Sequence, residues 1–498
     1  MSDCYRNVKT GLNNLIKFSL SEFGTIYLTQ INIIRNTVNP RFNIYFMVNL
    51  DNTQHNKYLF IEDSIIDEMF NTSKTLNQPI KYAGNPILRP SQPWEHNVGF
   101  LGTVLKDDSS GLIKTWYQNW IDNNYRVGYA TSLNGIHWDK PECGIFNIGG
   151  VDTNQVLASG CTPNVIYEPN EPNPEKRYKM LFWDYDMWLT QQTSSGSVAF
   201  SADGIHWNQH ENNPVLHHTG DTHSVYGWDP NHNCYVAYIR PGGPKDRTKY
   251  TRVIGRSTSQ NFIDWTEPKT VLEPSASEPY IEYYAMPVFK YESLYLGLLW
   301  VFHVNKEEPK PRRTGTMDIE LTVSKDGINW NKVDPNNAFI PLGPPGTYDQ
   351  GMLATTNGPI QMGNELWFYH TSTDGDHGSK FRNSRGSLAK MRLDGFVSIK
   401  ANQEQGYITT KPILCHGGDL YINAKTDNGT ISVVVLDEFG NEIDGTRIYD
   451  SAIFDTDSIE HKVTWRNHVN LNHLKGKNIR LKFYLQSADL YSFTINPN

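Results

Sequence analysis

Cysteine is scarce in this sequence. Cys4, Cys143, Cys161, Cys234 and Cys415 are scattered through 498 residues with no C-x-x-C pair, an odd set that suggests free thiols and excludes a disulfide framework or a zinc site. Long apolar runs are also missing. The longest, YLGLLWVF at 295–302, has the length of one strand and falls far short of a membrane span. The first twenty residues hold no stretch like the apolar core of a secretory signal, so neither a signal peptide nor a transmembrane segment is expected and the default location is cytoplasmic. Positive charge is not in excess either: 45 Lys and Arg face 53 Asp and Glu, for a net charge of −8. Such a chain lacks the field that draws nucleic acid or an anionic membrane, and neither is expected as a partner.

Aromatic residues, by contrast, make up 12% of the chain, with 27 Tyr and 13 Trp. Rings favour strands and also stack on sugar faces. One motif recurs: SLNGIHW at 132–138, SADGIHW at 201–207 and SKDGINW at 324–330, with a degenerate SQNFIDW at 259–265 and a weaker echo, LDGFVS, at 393–398. The four tryptophans, Trp138, Trp207, Trp265 and Trp330, stand 69, 58 and 65 residues apart. A period this long, with strand signals in every copy, fits a blade of about four strands. Asp or Asn before Gly supplies the positive φ of a tight turn, the Ser or Asp side chain caps free N–H groups, and Ile and Trp plug the gap between blades. The repeat therefore reads as architecture.

Five periods predict an all-β protein with a five-bladed β-propeller over residues 81–403. A C-terminal β-sandwich, jelly-roll-like, is expected over 404–498, where Ile479, Leu481, Phe483 and Leu485 alternate inward and TISVVVLDEFGNEI reads as a hairpin. Residues 1–80, with strands such as IYFMVNL and YLFIED, form an N-terminal β segment expected to pack on one or the other.

The layout resembles the five-bladed propeller glycosidases, the superfamily of glycoside hydrolase families 32, 43, 68 and 117. It is most similar to a glycosyl-hydrolase-like group in which GNPIL (84–88) and PWE (93–95) open the first blade, PLGPPGTYDQGM (341–352) leads into the last, and a sandwich ending in LYSF (490–493) follows. The W-x-N-D-P-N-like and RDP signatures of family 32 are absent, PWEHN standing in place of the first, so fructosidase and arabinosidase roles are not carried over. The resemblance implies a glycoside hydrolase acting on an oligo- or polysaccharide in an axial pocket, without a cofactor.

Such hydrolysis needs a carboxylic acid to protonate the leaving oxygen and a carboxylate as base or nucleophile. Acidic residues stand just before four of the five inner strands: Glu95, Asp221, Glu282 and Asp349. Glu282, between Ile281 and Tyr283–Tyr284, is the expected general acid in an apolar setting. Asp221 or Glu95 is the expected base or nucleophile, and Asp349 a substrate-orienting group. The expected sugar-binding residues are Trp94, His96, His223, Tyr284, Asn164, Arg252, His303 and His370. STDGDHGSK at 372–380 is acid- and glycine-rich but lacks ligand spacing, and no metal is expected. Two further readings stay open, a carbohydrate-binding propeller without catalysis and a sialidase-like enzyme; the period excludes a seven-bladed interaction propeller.

Overall fold

The computed structural model describes residues 57–496 apart from 122–123, 192–194, 218, 243–250, 308–313 and 381. The strand expected at IYFMVNL lies outside the described residues. Those described are all-β, with one short helix, Tyr185–Gln191, and three 3-10 turns. No described helix is long and apolar enough to cross a membrane.

Four sequence periods fold into antiparallel sheets whose strands follow chain order, and a fifth takes its last strand from elsewhere. The first sheet holds Asn97–Lys106, Ile113–Ile121, Asn124–Ser132 and Gln155–Leu157; the second begins Cys161–Tyr167, Tyr178–Trp183, Ser195–Ser201. The third holds Thr219–Asp229, Cys234–Pro241, Ile254–Ser259 and Lys269–Leu272, and the fourth is built on Ile281–Ala285, Leu294–Val304 and Gly315–Ser324. The fifth holds Met352–Thr355, Glu365–Thr373 and Ser384–Arg392, and its outer strand is Ile80–Lys81, contributed from the far end of the chain. A single parallel pairing, Met317 with Met352, joins the fourth sheet to the fifth. First strands touch in succession from the first sheet to the fourth, and Met352–Thr355 returns to Asn97–Lys106.

The second strands are largely buried because each is covered on both faces. In Cys234–Pro241, Tyr235, Ala237 and Ile239 pack toward Leu181 and Val198 of the second sheet, while Val236 and Tyr238 pack toward Tyr283, Leu299 and Val301 of the fourth. This is the alternation a two-residue strand period dictates.

The recurring turn stitches the sheets. The Ser201 hydroxyl accepts from the Gly204 N–H at 2.9 Å, and Asp203 Oδ1 accepts from the Ile205 and His206 N–H groups, both at 2.8 Å. Ser132 with Asn134 and Ser324 with Asp326 do the same. Gly135, Gly204 and Gly327 all have positive φ. Their carbonyls accept from an aromatic donor of the preceding sheet: Tyr369 Oη to Gly135, Trp116 Nε1 to Gly204 and Tyr238 Oη to Gly327, at 3.0, 2.6 and 2.7 Å.

A nine-stranded sheet is organised on Asn478–Asn496, which pairs along its length with Asp419–Asp437. Ile479, Leu481, Phe483 and Leu485 are fully buried. The turn after Asp437 closes with its carboxylate accepting from the Phe439 and Asn441 N–H groups. The sheet also takes strands from outside residues 404–498: Lys57–Leu59 pairs with Asn478–Asn496, Ile66–Phe70 with Gly406–Thr410, and Ser73–Leu76 with Val397–Ala401. The LDGFVS echo therefore leads into this sheet and not into an outer strand of the fifth sheet. Its Asp394, buried, accepts from Tyr291 Oη at 2.7 Å and Ser492 Oγ at 2.8 Å and lies 3.3 Å from Lys57 Nζ. One continuous apolar core runs from Leu298 and Phe302 through Phe368 and Phe396 to Phe483 and Leu490.

Candidate functional site

Where the five sheets converge there is a cavity of about 460 Å³. Its wall takes residues from every sheet: Asn97 and Gln118 from the first, Thr162 from the second, Asp221 and Thr222 from the third, Tyr284 and Trp300 from the fourth, and Thr371 from the fifth. Trp120 and Tyr125 add rings, and the segment after Glu365–Thr373 adds His377, Lys380 and Arg382. Rings that can stack beside hydroxyls and amides that can bond are what a sugar requires.

Asp221 is the one carboxylate among the described wall residues. It is paired with Arg240. Burial pushes its pKa up, but Arg240, Arg252 and His377 outweigh this and hold it below the ordinary carboxylate value. Two guanidiniums lie over the Tyr284 ring, Arg240 at 4.7 Å and Arg252 at 4.9 Å from its centroid, and the Tyr284 hydroxyl is 3.3 Å from His377 Nε2. Thr162 has a φ of +48°, a left-handed conformation that a β-branched residue adopts only under constraint. The constraint is visible: its N–H donates to Gln118 Oε1 at 3.2 Å and its hydroxyl to the Asp221 carbonyl at 3.2 Å. The Cys161 thiol also donates to Gln118 Oε1, and burial raises its pKa far above the ordinary thiol value. Burial thus favours its neutral thiol form.

The other three expected catalytic carboxylates do not reach the wall. Glu95, its side chain fully covered, accepts from Lys140 Nζ at 2.6 Å, Tyr117 Oη at 2.7 Å and the Ser91 N–H at 2.8 Å. Asp349 is buried against Lys81 Nζ at 2.5 Å and Thr347 Oγ1 at 2.8 Å. Glu282, expected in an apolar setting, is instead 2.5 Å from Arg252 Nη1. In each case a cation from another part of the chain pairs with the carboxylate away from the cavity wall.

Of the expected sugar-binding residues, Tyr284 alone lines the cavity. Arg252 lies behind it. Asn164 is buried, its amide donating to the carbonyls of Thr162 and His223 and so tying the second sheet to the third. His223, buried and 3.0 Å from Thr219 Oγ1, has its pKa lowered to about 3, chiefly by burial. His370 is buried and lowered to about 4 for the same reason. His303 bonds Asp318, which raises its pKa, and lies off the wall. Trp94 is half-buried and His96 exposed, both away from the cavity. No group of three or more His, Cys, Asp or Glu side chains is assembled as for a metal ion among the described residues.

Sequence reasoning missed Gln118, Trp120, Tyr125, Trp300 and Arg382. Trp120 and Gln118 close a second strand and Tyr125 opens a third, so the usable signal was polar and aromatic residues at that hairpin end.

No family model matches the chain, and no curated protein matches it. Solved structures do. A glycosyl hydrolase from Bacteroides ovatus is 15% identical, with 64% of this chain and 94% of that one covered and a TM-score of 0.46. A protein described under the GH130 family of mannoside phosphorylases, which contains glycoside hydrolases that target β-1,2 mannosidic linkages in Candida mannan, gives the same identity, coverage and score. An N-acetylgalactosamine deacetylase from F. plautii, solved with blood group B trisaccharide, is 14% identical over 66% of this chain and 96% of that one, with a TM-score of 0.43. At such identities and scores these likenesses assign no activity.

Proposed function

We propose that the five sheets are the blades of a β-propeller, that the nine-stranded sheet is a β-sandwich appended to it, and that the protein is a glycosidase-like, carbohydrate-active protein holding a glycan in the axial cavity. The observation that carries this reading is the convergence of all five sheets on one wall of rings, hydroxyls and amides with a single described carboxylate, Asp221. Kept ionised by Arg240, Asp221 suits the role of base, nucleophile or stabiliser of an oxocarbenium-like transition state. The proton for the leaving oxygen comes from His377, the one imidazole on the described wall.

The neutralised pairs at Glu95, Glu282 and Asp349 favour a second reading, in which the cavity binds glycan without cutting it. Glycan arrays and aryl-glycoside screens on the wild type and Asp221→Asn separate the two. Catalysis predicts turnover that falls at least 100-fold in Asp221→Asn while binding persists. Binding without turnover in the wild type supports the second reading, and binding of no glycan overturns both.

A further inference from the structure

The rings of the cavity wall do not stop at its mouth. Trp120 and Tyr125 pack at 4.4 Å between centroids, and Tyr185 of the short helix lies 5.1 Å from Tyr125 and 6.1 Å from Trp120. Trp188 is stacked on Tyr185 at 5.7 Å with 20° between planes, and Trp183 lies 5.6 and 6.0 Å from those two. Five rings thus run without a break from the wall onto Tyr185–Gln191, in the connection between the second and third strands of the second sheet.

The helix is fixed in place. The Met187 N–H donates to Asp184 Oδ1 at 3.1 Å, the Asp186 N–H to Ser159 Oγ at 2.9 Å, and Asn124 Nδ2 to Asp186 Oδ1 at 3.3 Å. Tyr185 and Trp188 are nevertheless only half-buried, and Leu189 is 47% exposed. Large rings left part-open where they continue the rings of the cavity wall offer faces that packing alone does not use.

We infer that the helix surface at Tyr185 and Trp188 is a second sugar-stacking subsite continuous with the cavity, so that the ligand is an oligosaccharide spanning both and not a single sugar. The inference rests on the glycan reading above. Continuity of the ring series identifies the occupant as further residues of the chain whose end enters the cavity. Ring stacking tolerates many sugars, so this subsite measures length more than identity.

The test is titration of manno-, xylo- and cello-oligosaccharides of one to six residues against the wild type, Trp188→Ala and Trp188→Phe. Affinity for the accepted series should rise with length. Trp188→Ala should weaken the longer members by about tenfold while leaving the monosaccharide unchanged, and Trp188→Phe should restore most of the loss. If Trp188→Ala does not fold, Trp188→Leu makes the same comparison with apolar bulk but no ring face. A flat length dependence in the wild type, or an equal loss at every length, overturns the subsite alone. Failure of every series to bind overturns the glycan reading and the subsite with it.

Discussion

Glu282 shows how a carboxylate can look apolar-set in sequence and be ion-paired in space. Its neighbours Ile281, Tyr283 and Tyr284 suggest an apolar pocket, but Arg252, thirty residues earlier, supplies the partner. Lys140 does this for Glu95 from 45 residues away and Lys81 for Asp349 from 268. Acidic residues before inner strands were legible; their cations were not, because no local pattern links residues so far apart. Glu282→Gln should therefore remove the carboxylate nearest to the half-buried Arg252 and cost about 3 kcal/mol of stability in denaturant melts, with the folded fraction keeping its glycan affinity. A selective loss of turnover at unchanged stability would restore Glu282 as an acid. Asp203 and Asp326 make a second prediction at this scale. Burial works against their ionised forms, yet turn N–H groups and neighbouring side chains pull both down to about 2. A depressed carboxylate contributes stability above its unfolded value, about 3.9, and that contribution is lost as pH falls toward 2. Acid melts of Asp203→Asn should therefore show a shallower loss of stability between pH 4 and pH 2 than the wild type.

The repeated turn was the most legible element, since S-x-D-G-x-x-W states both its own hydrogen bonds and its need for positive φ. Its partner across the gap was not legible: nothing in SADGIHW announces that Trp116, 88 residues earlier, will donate to the Gly204 carbonyl. Gly204 combines a φ of +80° with a Trp116 carbon 2.7 Å from where a Cβ would sit. Gly204→Ala should then lower stability by about 2 kcal/mol, more than the backbone effect of the substitution alone. A change below about 0.5 kcal/mol would mean that the stitch is dispensable. The short helix Tyr185–Gln191 was invisible for the opposite reason: seven residues carry too little periodicity to separate a helix from a loop.

For the whole molecule, period and order of strands gave the sheets, whereas the seam between them and the nine-stranded sheet depended on a residue that looked like a degenerate repeat. Asp394, in LDGFVS, gathers Lys57, Tyr291, Asn423 and Ser492 from four separate stretches of chain. Asp394→Ala would strand several buried donors and should cost about 3 kcal/mol or more, read as a lowered thermal midpoint. Because one core crosses this seam, the loss should appear as a single cooperative transition, not as separate melting of two parts.

The outer strand Ile80–Lys81 is made early by the ribosome, but its partner Ser384–Arg392 emerges some three hundred residues later. Until then one edge of the growing assembly has nothing to zip against. Completion of this sheet is thus a late, long-range event of the kind that slows folding and leaves a nascent chain open to wrong partners. Nascent chains arrested before residue 384 should accordingly be more sensitive to protease and more dependent on chaperones than chains released just beyond residue 392.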